Sequence, residues 1–259
     1  MIPTAPAEIE LMLFSFVFAM VRPGAAFIVA PVFSGPQVPL QLRILLALAL
    51  AVTGVQQVGL RFAPEDVMSF RGVVLIASEA LIGMAIGFSL QIGFASARMA
   101  GEAISNAMGL GFATMYDPIS GQASNALSQL LFIFALLMFL ALDGHLLIVA
   151  ALVESYSYMR PGEGWLAMNV IESLFRLGTV LFSVALSIAF PVGFAIILVQ
   201  IVMGFVSRST PSMNLFAVGL PVSLLAGIFL LGLAMPVISE SLMKAMETGI
   251  DLAFTVARG

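Results

Sequence analysis

Among the ionisable residues in or beside stretches apolar enough to enter a membrane, Arg22, Glu79, Glu102, Asp143 and His145 are the candidates for buried chemistry. A charge in hydrocarbon is costly, so such a group pairs, lines a watery path or relays protons. Arg22 lies inside the first apolar block, and Glu79 and Glu102 are its candidate partners. It reads as a functional intramembrane charge, as half of a structural ion pair, or as an arginine that meets water because its segment lies outside hydrocarbon. The two structural readings are preferred. Asp143 and His145 flank Gly144 near the middle of a long apolar segment. Both have the chemistry of a proton relay. A relay needs a chain of titratable groups, and none follows nearby in sequence. A helix break with locally hydrogen-bonded polar groups is the expected arrangement.

Other chemistries are poorly served. One histidine and no cysteine leave no ligand set for a His-based metal cluster, a thiolate site or a cysteine nucleophile. The sequence lacks the G-x-S-x-G elbow, the Walker A pattern and G-x-G-x-x-G. A net charge of −4 and the lack of any basic run speak against nucleic acid. No enzyme activity, cofactor or metal is expected.

The other informative residues are conformational. Residues 101–121 read GEAISNAMGLGFATMYDPISG. Gly109, Gly111 and Gly121 give this stretch freedom, whereas Leu110, Phe112, Met115 and Tyr116 give it volume, ahead of Asp117 and Pro118. A loop built that way bends and fills a hole. In lipid, irregular backbone survives only when covered by protein or lining a cavity. Residues 106–122 are therefore expected to be buried in protein or to plug a pore. Met108 and Met115 suit a seal that opens and recloses, or are ordinary apolar filler. Just before the loop, Gly93, Ala97, Gly101, Ser105 and Gly109 recur every fourth residue, as Gly83 and Gly87 do earlier. Small residues on one ridge let helix backbones approach closely in membranes. A tight helix contact is expected, within the chain or to a partner.

The elements that must hold these residues are membrane-grade. The chain has 259 residues, 61% hydrophobic and 9% charged, with a mean hydropathy of +1.13. Soluble domains carry about 25% charged residues. Apolar blocks fall at about 9–30, 40–59, 71–98, 126–156, 172–207 and 210–238, each able to supply the roughly 20 residues of a spanning helix. The pattern predicts an all-α polytopic membrane protein of about six long, bent helices arranged as hairpins. Arg22-Pro23-Gly24 interrupts what would be a signal-peptide core, so the first block is expected to be retained as a membrane helix. Residues 177–207 and 209–239 carry no charge, and Arg208 stands alone between them. Each run is about 46 Å long as a helix, against about 30 Å of hydrocarbon. Bends are expected at Pro191 with Gly193 and at Pro221. A weaker amphipathic tail, 240–258, is expected at an interface or on a partner.

Several motifs in order resemble the R-subunit family of the flagellar type III export gate (FliR), related to the T subunit of virulence type III secretion. They are Arg22-Pro23-Gly24 with Ala30-Pro31-Val32-Phe33 and Val38-Pro39; Gly109-Leu110-Gly111-Phe112-Ala113 with Asp117-Pro118; Gly144-His145-Leu146 with Glu154-Ser155; and Arg208-Ser209-Thr210-Pro211 with Asn214 through Pro221. Two departures are Ser212 and Glu102, where the family pattern more often has glutamine. The resemblance implies a gate subunit of the inner membrane, within the flagellar basal body. It implies a P-subunit-like part, 1–165, and a Q-subunit-like hairpin and tail, 166–259. Implied partners are P- and Q-type subunits (FliP, FliQ), the switch subunit FlhB, exported flagellar proteins and membrane lipid. It also implies a plug over Gly109–Gly121 and a cytoplasmic, partner-facing turn with Arg208, Pro211, Asn214 and Pro221. Counting positive charges over six simple spans points the opposite way, to a cytoplasmic N-terminus. That count presumes a simple bilayer topology, so the resemblance takes precedence. The alternative is a small-molecule secondary transporter with a midplane site drawn from Arg22, Glu79 and Asp143, for which no matching repeat is apparent. A purely structural membrane scaffold would have no need of a flexible plug.

Overall fold

The computed structural model describes residues 6–58, 69–110, 126–162, 168–209 and 215–259. The described residues form helices: α1 (Pro6–Val29), α2 (Leu40–Val58), α3 (Phe70–Ser89), α4 (Gln91–Ala107), α5 (Ala126–Ala141), α6 (Gly144–Tyr158), α7 (Met168–Ser209) and α8 (Leu215–Arg258). Among the described residues, four stretches are long and apolar enough to cross a membrane: Ile9–Val29, Phe70–Ser89, Leu174–Ser209 and Val218–Arg258. A fifth crossing exists if α5 and α6 form one broken span. The block at 40–59 falls short of the expected span, because its apolar helical stretch ends at Gln56.

Helix ends differ from the sequence pattern for local reasons. The block at 71–98 is divided at Leu90, and its second helix continues to Ala107. Ser89 Oγ donates to the Ala85 carbonyl at 2.8 Å, a back-bond that competes with the helix ladder. Gln91 Nε2 then reaches the Val29 carbonyl at 2.7 Å, supplying a donor to the open end of α1. Ser69 caps α3 by accepting from the Gly72 amide at 3.0 Å. The tail at 240–258 is not a separate element: α8 runs unbroken for 44 residues with Pro221 and Pro236 inside it. Its apolar stripe, including Leu242, Met246 and Val256, is buried within the chain, and Glu240, Lys244, Glu247 and Asp251 are exposed.

The chain divides into two compact units that interleave along the sequence. The first comprises residues 1–92, 139–178 and 246–259. In it α1 lies against α3 and α2, and α6 packs on α2 and α3. Glycines make these approaches possible. A Cβ on Gly83 would collide with the Arg22 carbonyl, and one on Gly87 would lie 2.6 Å from the Ala26 carbonyl. Between α1 and α2, Val32 adopts φ +72°, a left-handed conformation rare for a β-branched residue. Arg43 clasps this turn by donating from Nη2 to the carbonyls of Gly35 and Val38 at 2.7 and 3.2 Å.

The second unit comprises residues 93–138 and 179–245. Here α4 and α5 approach closely. A Cβ on Gly101 would lie 2.5 Å from Ser128 Cα, and Ser128 Oγ donates to the Arg98 carbonyl at 2.9 Å. Phe94 and Phe132 pack with ring centroids 5.6 Å apart, and the Arg98 guanidinium lies 4.0 Å from the Phe132 centroid. Ser96 Oγ donates to the Leu181 carbonyl on α7 at 3.3 Å.

Candidate functional site

Two groups of residues stand out, one in each unit. In the first, Arg22 and Glu79 are both fully buried and paired, Nε to Oε2 at 2.8 Å and Nη2 to Oε1 at 3.1 Å. The fork geometry gives two parallel charge-assisted bonds. Arg22 Nη1 donates to Ser155 Oγ at 2.8 Å and Nη2 to the Met159 carbonyl at 2.9 Å. The Gly162 amide donates to Glu79 Oε1 at 3.1 Å. Tyr156 places its ring 5.0 Å from the guanidinium carbon and donates its hydroxyl to the Ala19 carbonyl at 2.7 Å. One ion pair thus ties α1, α3, α6 and the turn after α6. Glu102, the other candidate partner, is exposed on α4. A small-molecule site drawn from Arg22, Glu79 and Asp143 finds no support, because the first two saturate each other and Asp143 is exposed.

The Asp143–His145 segment is a helix break. Asp143 takes φ +53°, which aspartate tolerates better than most residues, and its carbonyl accepts from Leu146 and Leu147 at 2.8 and 3.0 Å. Its side chain makes no capping bond. Gly144 is required sterically, since a Cβ there would run into the Phe139 ring. His145 is half-buried, and its Nδ1 has no hydrogen-bond partner among the described residues.

The second group is the end of α4. The Gly109 amide donates to Asn106 at 3.1 Å and the Leu110 amide to Ser105 at 3.0 Å, with Gly109 at φ +82°. This is a Schellman stop, whose left-handed position glycine fills without strain. Gly109 is thus a helix terminus rather than a freely bending position. Gly93, Ala97, Gly101 and Ser105 are all buried, and Ser105 Oγ has no partner among the described residues. Gly111, Phe112, Met115, Tyr116, Asp117 and Pro118 lie outside the described residues, as do Pro211 and Asn214. Arg208 and Pro221 are exposed.

Residues 13–249 match the family of bacterial export proteins, family 1. The chain is 33% identical over 224 residues to the flagellar biosynthetic protein FliR of Escherichia coli (strain K12), covering 86% of this chain and 85% of that protein. It is 32% identical over 223 residues to FliR of Pectobacterium carotovorum subsp. carotovorum, with coverage of 86% and 85%. FliR of Bacillus subtilis (strain 168) is 28% identical over 231 residues, with coverage of 86% and 87%. The chain belongs to the FliR family. The matched region takes in both residue groups: the Arg22 cluster and the end of α4.

In this FliR-family chain the sequence marked Ser155 only as part of a motif and did not mark Tyr156, Gln200 or Gly227. Gln200 Nε2 donates to the Ala107 carbonyl at 2.8 Å, and a Cβ on Gly227 would lie 2.5 Å from Met108 Cγ. A signal existed for the first: Gln200 is the one amide side chain within residues 177–207. An amide in an apolar helix looks for a partner on another helix. Gly227 sits among other glycines, and nothing in the sequence marks it.

Proposed function

We propose that this chain is a core subunit of the flagellar type III protein export gate, helping to form and seal the conduit through which unfolded flagellar proteins leave the cytoplasm. The observation that carries this reading is the family match across residues 13–249, which leaves almost no part of the chain for another role. The helices fit it. At about 1.5 Å per residue, α7 and α8 run to about 63 and 66 Å, against about 30 Å of hydrocarbon. Helices of that length need protein neighbours along part of their course, as a subunit of a larger assembly has.

In this reading the seal lies in the segment that leaves α4 at Gly109, and the 1–165 and 166–259 parts resemble a P subunit followed by a Q subunit. The assembly is held in the inner membrane at the flagellar base, with P- and Q-type subunits beside it and the switch subunit at the Arg208–Asn214 turn. The chain acts as a conduit component, and export is driven by other components.

The test is affinity purification in mild detergent from cells that also express P- and Q-type subunits. Co-purification of both in fixed proportion, together with restored motility in a strain lacking its own R subunit, is the expected result. A chain that restores motility without retaining either subunit would remove it from the core of the gate. One that does neither is not this subunit.

A further inference from the structure

We propose that Gln200 and Gly227 are positioning residues that dock the end of α4, and so fix the point from which the central loop departs. The geometry stands on its own, and its consequence for sealing rests on the function proposed above. All the residues concerned lie in the second unit.

Every helix leaves its last four carbonyls open at the C-terminus. In the last turn of α4, the Ile104 carbonyl takes the Met108 amide at 2.9 Å, Ser105 takes Leu110, and Asn106 takes Gly109. The fourth carbonyl, on Ala107, takes the side-chain amide of Gln200, 93 residues further along the chain. Backbone donors from the terminus serve three carbonyls, and α7 serves the last. An amide in an apolar helix must find a partner, and this one finds the end of another helix.

The second contact comes from α8. A Cβ on Gly227 would lie 2.5, 2.7 and 2.8 Å from Cγ, Cε and Sδ of Met108. Met108 is 4% exposed, so its side chain is seated in a space that only glycine leaves open. Two elements distant in sequence therefore converge on neighbouring residues, 107 and 108, directly ahead of the left-handed turn at Gly109. One contact is polar and fixes the helix end along its axis. The other is steric and fixes its rotation. The two bear on the last turn before the loop, separately from the α4–α5 approach at Gly101.

The chain has no cysteine, so Leu110→Cys gives a unique reporter on the first residue past the stop. The experiment follows its maleimide labelling in full-length chain, within purified complex of equal subunit content. Gly227→Leu displaces Met108 and is expected to speed labelling about tenfold, and Gln200→Leu about threefold, the size of one lost contact. Adding Met108→Ala to Gly227→Leu empties the seat and is expected to return the rate towards the parent. Unchanged labelling in both single variants would overturn the dock, as would a rise that Met108→Ala leaves in place.

Should Gly227→Leu fail to assemble, the pair Met108→Cys with Gly227→Cys decides. A disulfide under mild oxidation supports the contact, and its absence in assembled complex refutes it. Ion conductance is read on the same samples. Faster labelling without a leak leaves the dock standing and counts against the sealing role of the loop. A leak without faster labelling counts against the dock.

Discussion

Arg22 and Glu79 show how a residue pair is committed by its surroundings. Each has the other as its charge partner in a fully buried setting, and Ser155, the Met159 carbonyl and the Gly162 amide complete the shell. Removing one member leaves an uncompensated buried charge, which costs about 3–5 kcal/mol. Glu79→Leu is expected to lower the melting temperature of detergent-purified complex sharply. Arg22→Met with Glu79→Leu is expected to recover part of that loss, since the remaining neighbours are uncharged. An unchanged melting temperature in Glu79→Leu would show that the pair is not structural. The sequence flagged Arg22 and two possible partners, and a closer look at spacing separates them. Glu79, Gly83 and Gly87 share one helical ridge, and Gly83 faces the Arg22 carbonyl. The small residues mark the side on which α1 approaches, so Glu79 points at it. Ser155 and Met159, 133 and 137 residues from Arg22, gave no such mark.

At the scale of elements, apolar blocks located the helices, and short-range hydrogen bonding located their ends. Leu90 divides a continuous apolar run because Ser89 and Gln91 redirect polar groups there, an effect that hydropathy does not register. Pro236 does not end α8, which continues to Arg258. Pro236 removes one donor, yet a helix in apolar surroundings keeps its remaining bonds because no alternative partner is at hand. Of the four-residue ladder, Gly101 is the position where a close approach is seen, to Ser128. Gly101→Leu would force α4 and α5 apart, and it is expected to reduce assembled complex on native gels rather than only export. Normal complex yield would contradict this. Gly109→Ala places a Cβ at φ +82° and is expected to destabilise the helix stop by about 1 kcal/mol. The matching readout is faster hydrogen exchange at the Gly109 and Leu110 amides, and unchanged exchange would mean that the cap contributes little.

For the molecule as a whole, membrane character was plain from composition, whereas the number of crossings was not. Hydropathy counted the block at 40–59 as a span, but its helix loses apolar character at Gln56. The proposed seal and orientation make two expectations at this scale. Deleting residues 111–116 is expected to leave the complex assembled but leaky, with a smaller leak for Phe112→Ala; single-channel conductance measures both. Closed-state conductance equal to the parent in an assembled deletion complex would exclude this loop as the principal seal. Ser212→Cys is expected to resist impermeant maleimide added from the periplasmic side of intact cells. Labelling from that side would reverse the orientation.

The Arg22 cluster also bears on how the chain is made. Arg22 lies on α1, and Glu79 is synthesised 57 residues after it and Ser155 133 residues after it. At about 5–20 residues per second, the charge waits roughly 3–11 s for its acid and longer for the rest of its shell. An unpaired arginine within a helix resists entry to lipid by about 2.5–3.5 kcal/mol. α1 is thus a poor lipid dweller until α3 arrives with Glu79. A ribosome-stalled chain whose Glu79 is still within the ribosome should stay beside the insertion machinery, and one long enough for all of α3 to have emerged should leave it. Arg22→Leu should erase that difference in a crosslinking time course.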